Sequence, residues 1–301
     1  MTVMNDKRKL GKQRRRELRR AIEMELKEHR SSFLVFSVLR ILVIVCLVRQ
    51  AFLHNYEGLF LSALTLLLLY IPSWIQVRLR IEIPIGLEIA ILCFIFAAEI
   101  LGEINAFYIV IPGWDTILHT LNGFLCAAVG FSLVLLLNDN EKLTFELSPF
   151  FLALVAFCFS MTVGVLWEFF ECAMDRFFLL DMQKDTILHT ISTVNLDPAG
   201  GNHPVVVRDI QDMILVHGDG TRQALGLGGY LDLGLRDTMK DLFVNFIGAL
   251  VFSVIGFFYA RGRGKKSMIS LFVPRRKSRN RDYLSMVKRK NEQTAEKKHS
   301  L

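Results

Sequence analysis

None of the five cysteines, Cys46, Cys93, Cys126, Cys158 and Cys172, stands in the long polar loop of the chain. Each falls inside or at the end of an apolar run, so the sequence offers neither a disulfide framework nor a CxxC metal knuckle. Ser-x-x-Lys, His-Glu-x-x-His and Gly-x-Ser-x-Gly elements are missing too, which removes the easily recognised hydrolases. Gly218-Asp219-Gly220 and Gly226-Leu227-Gly228-Gly229 lack the strand and helix context that a nucleotide site demands and are read as turns. No small-x-small cleavage pattern follows the first apolar run, which about thirty mostly charged residues precede, so that run is expected to stay as an anchor.

What is abundant is apolar length. The chain is 52% hydrophobic over 301 residues, with a mean hydropathy of +0.38, above what an ordinary soluble domain carries. A bilayer core takes roughly 20 apolar residues as helix, and runs of that size are read at roughly 33–53, 58–75, 84–102, 115–137, 148–172 and 240–260. The fold class expected is therefore all-α, a polytopic transmembrane helix bundle of about six spans. Residues 1–32 form a basic arm, 33–260 the transmembrane domain with an outer segment at 173–239, and 261–301 a basic tail.

The net charge of +7 is concentrated at the two ends, Lys7 to Arg20 and Arg261 to Lys298. Flanking charge of this kind marks the cytoplasmic side of a membrane protein, and without a reader motif it does not point to nucleic acid. Both termini are thus expected in the cytoplasm, where they meet the bilayer and its anionic inner-leaflet lipids. Arg78 and Arg80 between spans two and three agree, as does the excess of acids from Asp175 to Asp237. The stretch GKQRRRELRRAIEMELKEHR has helix-forming composition, whereas the C-terminal tail is expected to be a disordered basic extension. In the outer segment, VVV and MILV flanked by turn residues predict a small hairpin.

With that threading, polar residues of several spans share the outer level: Asp115 and His119, Glu168, Glu171 and Asp175, Asp237, Asp241 and Asn245, Glu99 and Glu103, and Arg49. Asp115/His119 and Asp237/Asp241/Asn245 are four apart and Glu168/Glu171 three apart, so each set lines one helix face. Such stripes face the bundle interior, because facing lipid is costly. As a metal site, Asp115, His119, Glu168, Glu171 and Asp241 would supply oxygen-rich ligation with one imidazole, suited to a hard or borderline divalent ion. The Glu-x-x-Glu spacing is that of helix-bundle metal ligands, without their paired Glu-x-x-His segments. As an enzyme, Glu168 or Asp241 would serve as general base and His119 as acid or ligand, with Asn245, Asp237 and Arg49 as polar support. The competing reading is a structural clasp, with Asp115 and Asp237 as helix-start acids and Glu168 or Glu171 paired with Arg49 or Arg176. Trp114 and Trp167 are read as interfacial aromatics. Arg40 and Glu88, inside apolar spans, are read as an ion pair or as snorkelling side chains.

The hexapeptide Asp-Thr-Ile-Leu-His-Thr occurs twice, at 115–120 and 185–190, and is read either as a duplicated functional element or as a coincidence of two amphipathic helix starts. The ordered set GWDTILHTLNGF, VLWEFFECAMD and LRDTMKDLFVNFIGALVFSVIGF resembles the YjdF-like family of uncharacterised bacterial inner-membrane proteins and, more distantly, VanZ-like membrane proteins. The resemblance places Asp115, His119, Glu168, Glu171, Asp241, Asn245, Gly248 and Ala249 at the family's polar and small positions. It implies a membrane protein of the bacterial envelope without supplying a substrate. Function stays open among a protein acting on or binding lipid-linked polar groups, a small-solute or proton-coupled transporter, and a membrane scaffold.

Overall fold

A computed structural model describes residues 2–138, 147–262, 272, 275–278 and 280–299. The chain divides into two compact units, Met1–Ser160 with Asn245–Leu301, and Met161–Val244. Six helices are long and apolar enough to cross a membrane: Arg30–Phe52, Tyr56–Arg78, Ile85–Ile104, Trp114–Leu135, Pro149–Phe178 and Leu235–Arg261. The protein is a polytopic helical membrane protein, as the hydrophobic runs predict. The helices outreach those runs because local polar groups extend them: Asp232 accepts from the Arg236 N–H at the start of the last, after Gly234 turns with φ +84°.

In the first unit, α1 (Thr2–Leu26) precedes α2 (Arg30–Phe52), α3 (Tyr56–Leu68) and α4 (Ile71–Leu79). Asn55 caps α3 through the Gly58 N–H at 3.1 Å, and Pro72 opens α4, where its missing N–H costs nothing. Strand β1 (Ile81–Glu82) follows, then α5 (Ile85–Phe96), which continues as a π-helix over Ala97–Ile104. Phe36, Leu39, Val43 and Cys46 of α2 form a core with Leu69, Leu92 and Ile100. Glu88 is buried but does not pair with Arg40: it accepts from the Ser32 hydroxyl and, at 3.1 Å, from the Gln76 amide. Arg40 instead lies over the Tyr70 ring, 5.3 Å from its centroid. Short α6 (Phe107–Val110) leads to α7 (Trp114–Asn138), and α8 (Pro149–Phe178) begins in this unit.

The tail expected to be disordered is, where described, structured. Strand β8 (Arg275–Arg276) pairs antiparallel with β1, and α10 (Tyr283–His299) packs on α1. Asp282 caps α10, accepting from the Ser285 N–H at 3.0 Å and from its hydroxyl at 2.7 Å. Lys277 pairs with Glu25, Arg281 with Glu82 at 2.6 Å and Glu28 at 3.3 Å, and Asn291 donates to Glu17 at 3.0 Å. Composition alone missed this because the contacts join residues some 200 to 270 positions apart.

The second unit holds most of α8, the segment that follows it, and the start of α9 (Leu235–Arg261). The segment forms three two-stranded pairs: β2 (Thr186–Leu188) with β7 (Tyr230–Asp232), β3 (Ile191–Thr193) with β4 (Val205–Val207), and β5 (Ile214–Val216) with β6 (Arg222–Ala224). The VVV and ILV runs are strands, but not of one hairpin as expected: β4 pairs with β3 and β5 with β6, because each run has a nearer partner across its own turn. The second hexapeptide is not a helix start: its Thr186–Leu188 pairs with β7 while the first copy begins α7. The same six residues adopt two structures because a strand partner exists for one copy only.

Candidate polar site

On α7, the His119 Nε2 lies 3.3 Å from an Asp115 oxygen, the i,i+4 geometry its spacing predicts. One turn deeper, the same helix meets the first-unit part of α9. Asn245, 1% exposed, accepts from the Asn122 amide at 3.4 Å, and the Ser160 hydroxyl of α8 donates to the Gly123 carbonyl at 2.7 Å. The approach is backbone to backbone. A Cβ on Gly123 would stand 2.1 Å from the Asn245 carbonyl oxygen, and one on Gly248 2.0 Å from that of Thr120. Phe124 stacks edge-on against Phe252 at 5.0 Å, and Phe131 reaches both Phe252 and the Gly256 position. Contacts that advance together along both helices show that α7 and α9 run parallel there. A single intervening crossing, α8, is what parallel α7 and α9 require.

In the second unit Glu171, Asp175 and Asp237 accept from donors of the same unit. Glu168 and Glu171 of α8 are buried, and the Trp167 indole N–H donates to Glu171 at 2.8 Å. Trp167 thus has a bonding role beyond that of an interfacial aromatic. Asp175 accepts from the backbone N–H groups of Met182 at 2.6 Å and Gln183 at 2.8 Å. Asp237, in the first turn of α9, accepts from the Lys184 N–H at 2.9 Å and from the Lys240 ammonium at 3.0 Å. Lys240 also lies 3.5 Å from Asp241, which is 1% exposed.

Lys240 was missed by sequence reasoning, although its i,i+3 spacing from Asp237 was the signal. Arg49 is exposed on α2, Glu99 is half-buried and Glu103 exposed on the π-helix. No ion pair of Arg49 with a carboxylate occurs among the described residues. The π-helix itself is a second feature sequence did not reveal: Asn105 closes it, donating through both its N–H and its side-chain amide to the Ile100 carbonyl.

A family model described as "Predicted membrane protein (DUF2238)" matches residues 35–262. The chain belongs to this family. The match spans all six membrane-crossing helices apart from the first turn of the first, together with the intervening strand pairs, and leaves α1 and α10 outside it. No curated protein and no solved structure matches the chain.

Proposed function

We propose that the protein binds a divalent cation through Asp115, His119 and Asp241, and uses that centre to hold or act on lipid-linked polar groups of the cell envelope. The observation that carries this is the helix register. His119 stands one turn before Gly123, and Asp241 one turn before Asn245 on the same face of an unbroken helix. Two carboxylates and one imidazole form a donor set for a hard or borderline ion.

The Lys240 ammonium beside Asp241 supports the reading. Half of its side chain is solvent-accessible, 45%, so a cation of higher charge displaces it into water without leaving it buried and unpaired. Glu168 and Glu171 are buried acids one helix turn apart and serve as further ligands or as general base. The likeness to YjdF-like and VanZ-like proteins agrees with an envelope role in the cell membrane, with both termini cytoplasmic and the basic arm and tail facing anionic lipid.

Elemental analysis of the purified protein tests the centre. One bound divalent ion per chain is expected, lost in Asp241→Asn and His119→Ala while both variants keep their elution volume and helical signal. Retention of metal by both variants, or a metal-free wild type that binds none on titration with manganese or zinc, refutes it.

A further inference from the structure

Charge and exposed hydrocarbon meet in a groove of the first unit. Helix α1 and the adjoining turns of α2, α3 and α4 enclose a groove of about 730 Å³, within the range of roughly 300–1,000 Å³ that small-molecule sites occupy. Its walls are of two kinds. Phe33, Leu67 and Trp74 are apolar and at least a third exposed, whereas Arg15, Arg19, Lys27 and Arg40 bring positive charge. Glu23 is the acid of the lining, and it is engaged by Arg19 at 3.2 Å. Three cations are left over.

Arg40 is the informative one. It lies ten residues into α2, about 15 Å along the helix from Arg30, at a depth where a guanidinium is costly unless an anion or a ring faces it. No carboxylate pairs with it among the described residues, and the Tyr70 face at 5.3 Å supplies a partial counter-charge. Exposed hydrocarbon and unpaired cations side by side are what the acyl chains and phosphate of an anionic phospholipid would both meet.

We infer that this groove binds one anionic phospholipid, its phosphate between Arg40 and the basic residues of α1 and its acyl chains along Phe33 and Leu67. Trp74, 45% exposed at the groove, marks headgroup level. The guanidinium gives the phosphate a planar donor fork. Such a lipid ties α1 to the membrane-crossing helices at a discrete place, distinct from diffuse attraction of the basic ends to a charged leaflet.

Native mass spectrometry of the full-length protein in mild detergent, with equimolar phosphatidylglycerol and phosphatidylcholine of identical chains, decides it. The expected result is one phosphatidylglycerol retained about tenfold over phosphatidylcholine, the ratio corresponding to one modest ion pair. Arg40→Gln and Arg15→Gln each bring the ratio towards one. Arg16→Gln with Arg20→Gln removes charge from α1 outside the groove and leaves the ratio unchanged. Equal retention of the two lipids by the wild type overturns the inference, as does an equal loss in the Arg16/Arg20 variant. If Arg40→Gln does not fold, Arg15→Gln decides alone, because Arg15 is exposed on α1 and outside every membrane-crossing helix.

Discussion

The strand-bearing segment between α8 and α9 and the paired ends of the chain hold their acids in opposite ways. In the segment, carboxylates accept from backbone N–H groups a few residues away. Asp197 takes Ala199, Gly201 and His203, Asp219 takes Thr221, and Asp212 takes Met213 and, fourteen residues on, Gly226. These bonds hold the carboxyls of Asp197 and Asp219 below the usual range, with the Ala199 N–H first for one and the Thr221 hydroxyl first for the other. At the ends, carboxylates accept from side chains at the far end of the sequence, Glu25 from Lys277 and Glu82 from Arg281. Local bonding makes a turn stable wherever it is placed. Distant bonding makes each end depend on the other.

The largest test of that contrast is Lys277→Ala. Removing one partner of a buried pair costs about 3 kcal/mol or more, and both Lys277 and Glu25 have side chains under 5% exposed. Limited proteolysis should open α1 and α10 in this variant while the strand pairs stay protected; unchanged cleavage of α1 would break the comparison. An intermediate effect is expected from Asp175→Ala, which strands the Met182 and Gln183 N–H groups at about 1–3 kcal/mol. Hydrogen exchange should then rise at 182–184 and leave α1 and α10 unaffected, and spread of the effect to the ends would contradict the locality argued here.

The smallest effect is a pH dependence confined to the ends. Burial pushes Glu25 up to about 7 despite the pull of Lys277, with Glu28 and Glu88 adding to the rise. A folded-state value above the ordinary 4.5 means that the packed ends bind the proton more tightly than the opened chain. Their extra stability is therefore full below pH 4.5 and is lost as pH climbs through about 7. Exchange at the β1 and β8 amides should quicken over that window, and Glu25→Gln should flatten the response. A wild type whose exchange follows only the intrinsic base catalysis of amides removes the claim.

What the sequence made legible follows the same division. Six apolar runs gave six helices because a crossing helix is specified by its own twenty residues, and VVV and ILV became strands for the same reason, although their partners were not the ones expected. The Asp115/His119 pair was legible from spacing on one helix. Helix α10 was not, since a polar basic stretch folds only when α1 is beside it, and no local signal names that partner. Lys240 was not legible for a different reason: a single base among several acids does not declare which of them it pairs with. The second Asp-Thr-Ile-Leu-His-Thr misled because six residues carry too little information to choose helix or strand without their surroundings.

The clasp between α1 and α10 also sets a timetable. About 250 residues separate the two helices, so at roughly 5–20 residues per second α1 waits some ten to fifty seconds before its companion is made. During that interval Glu17 and Glu25 face water, and α1 is available to chaperones and insertion factors. Closure has to wait for α10, and a ribosome that stalls after the sixth crossing leaves the clasp open.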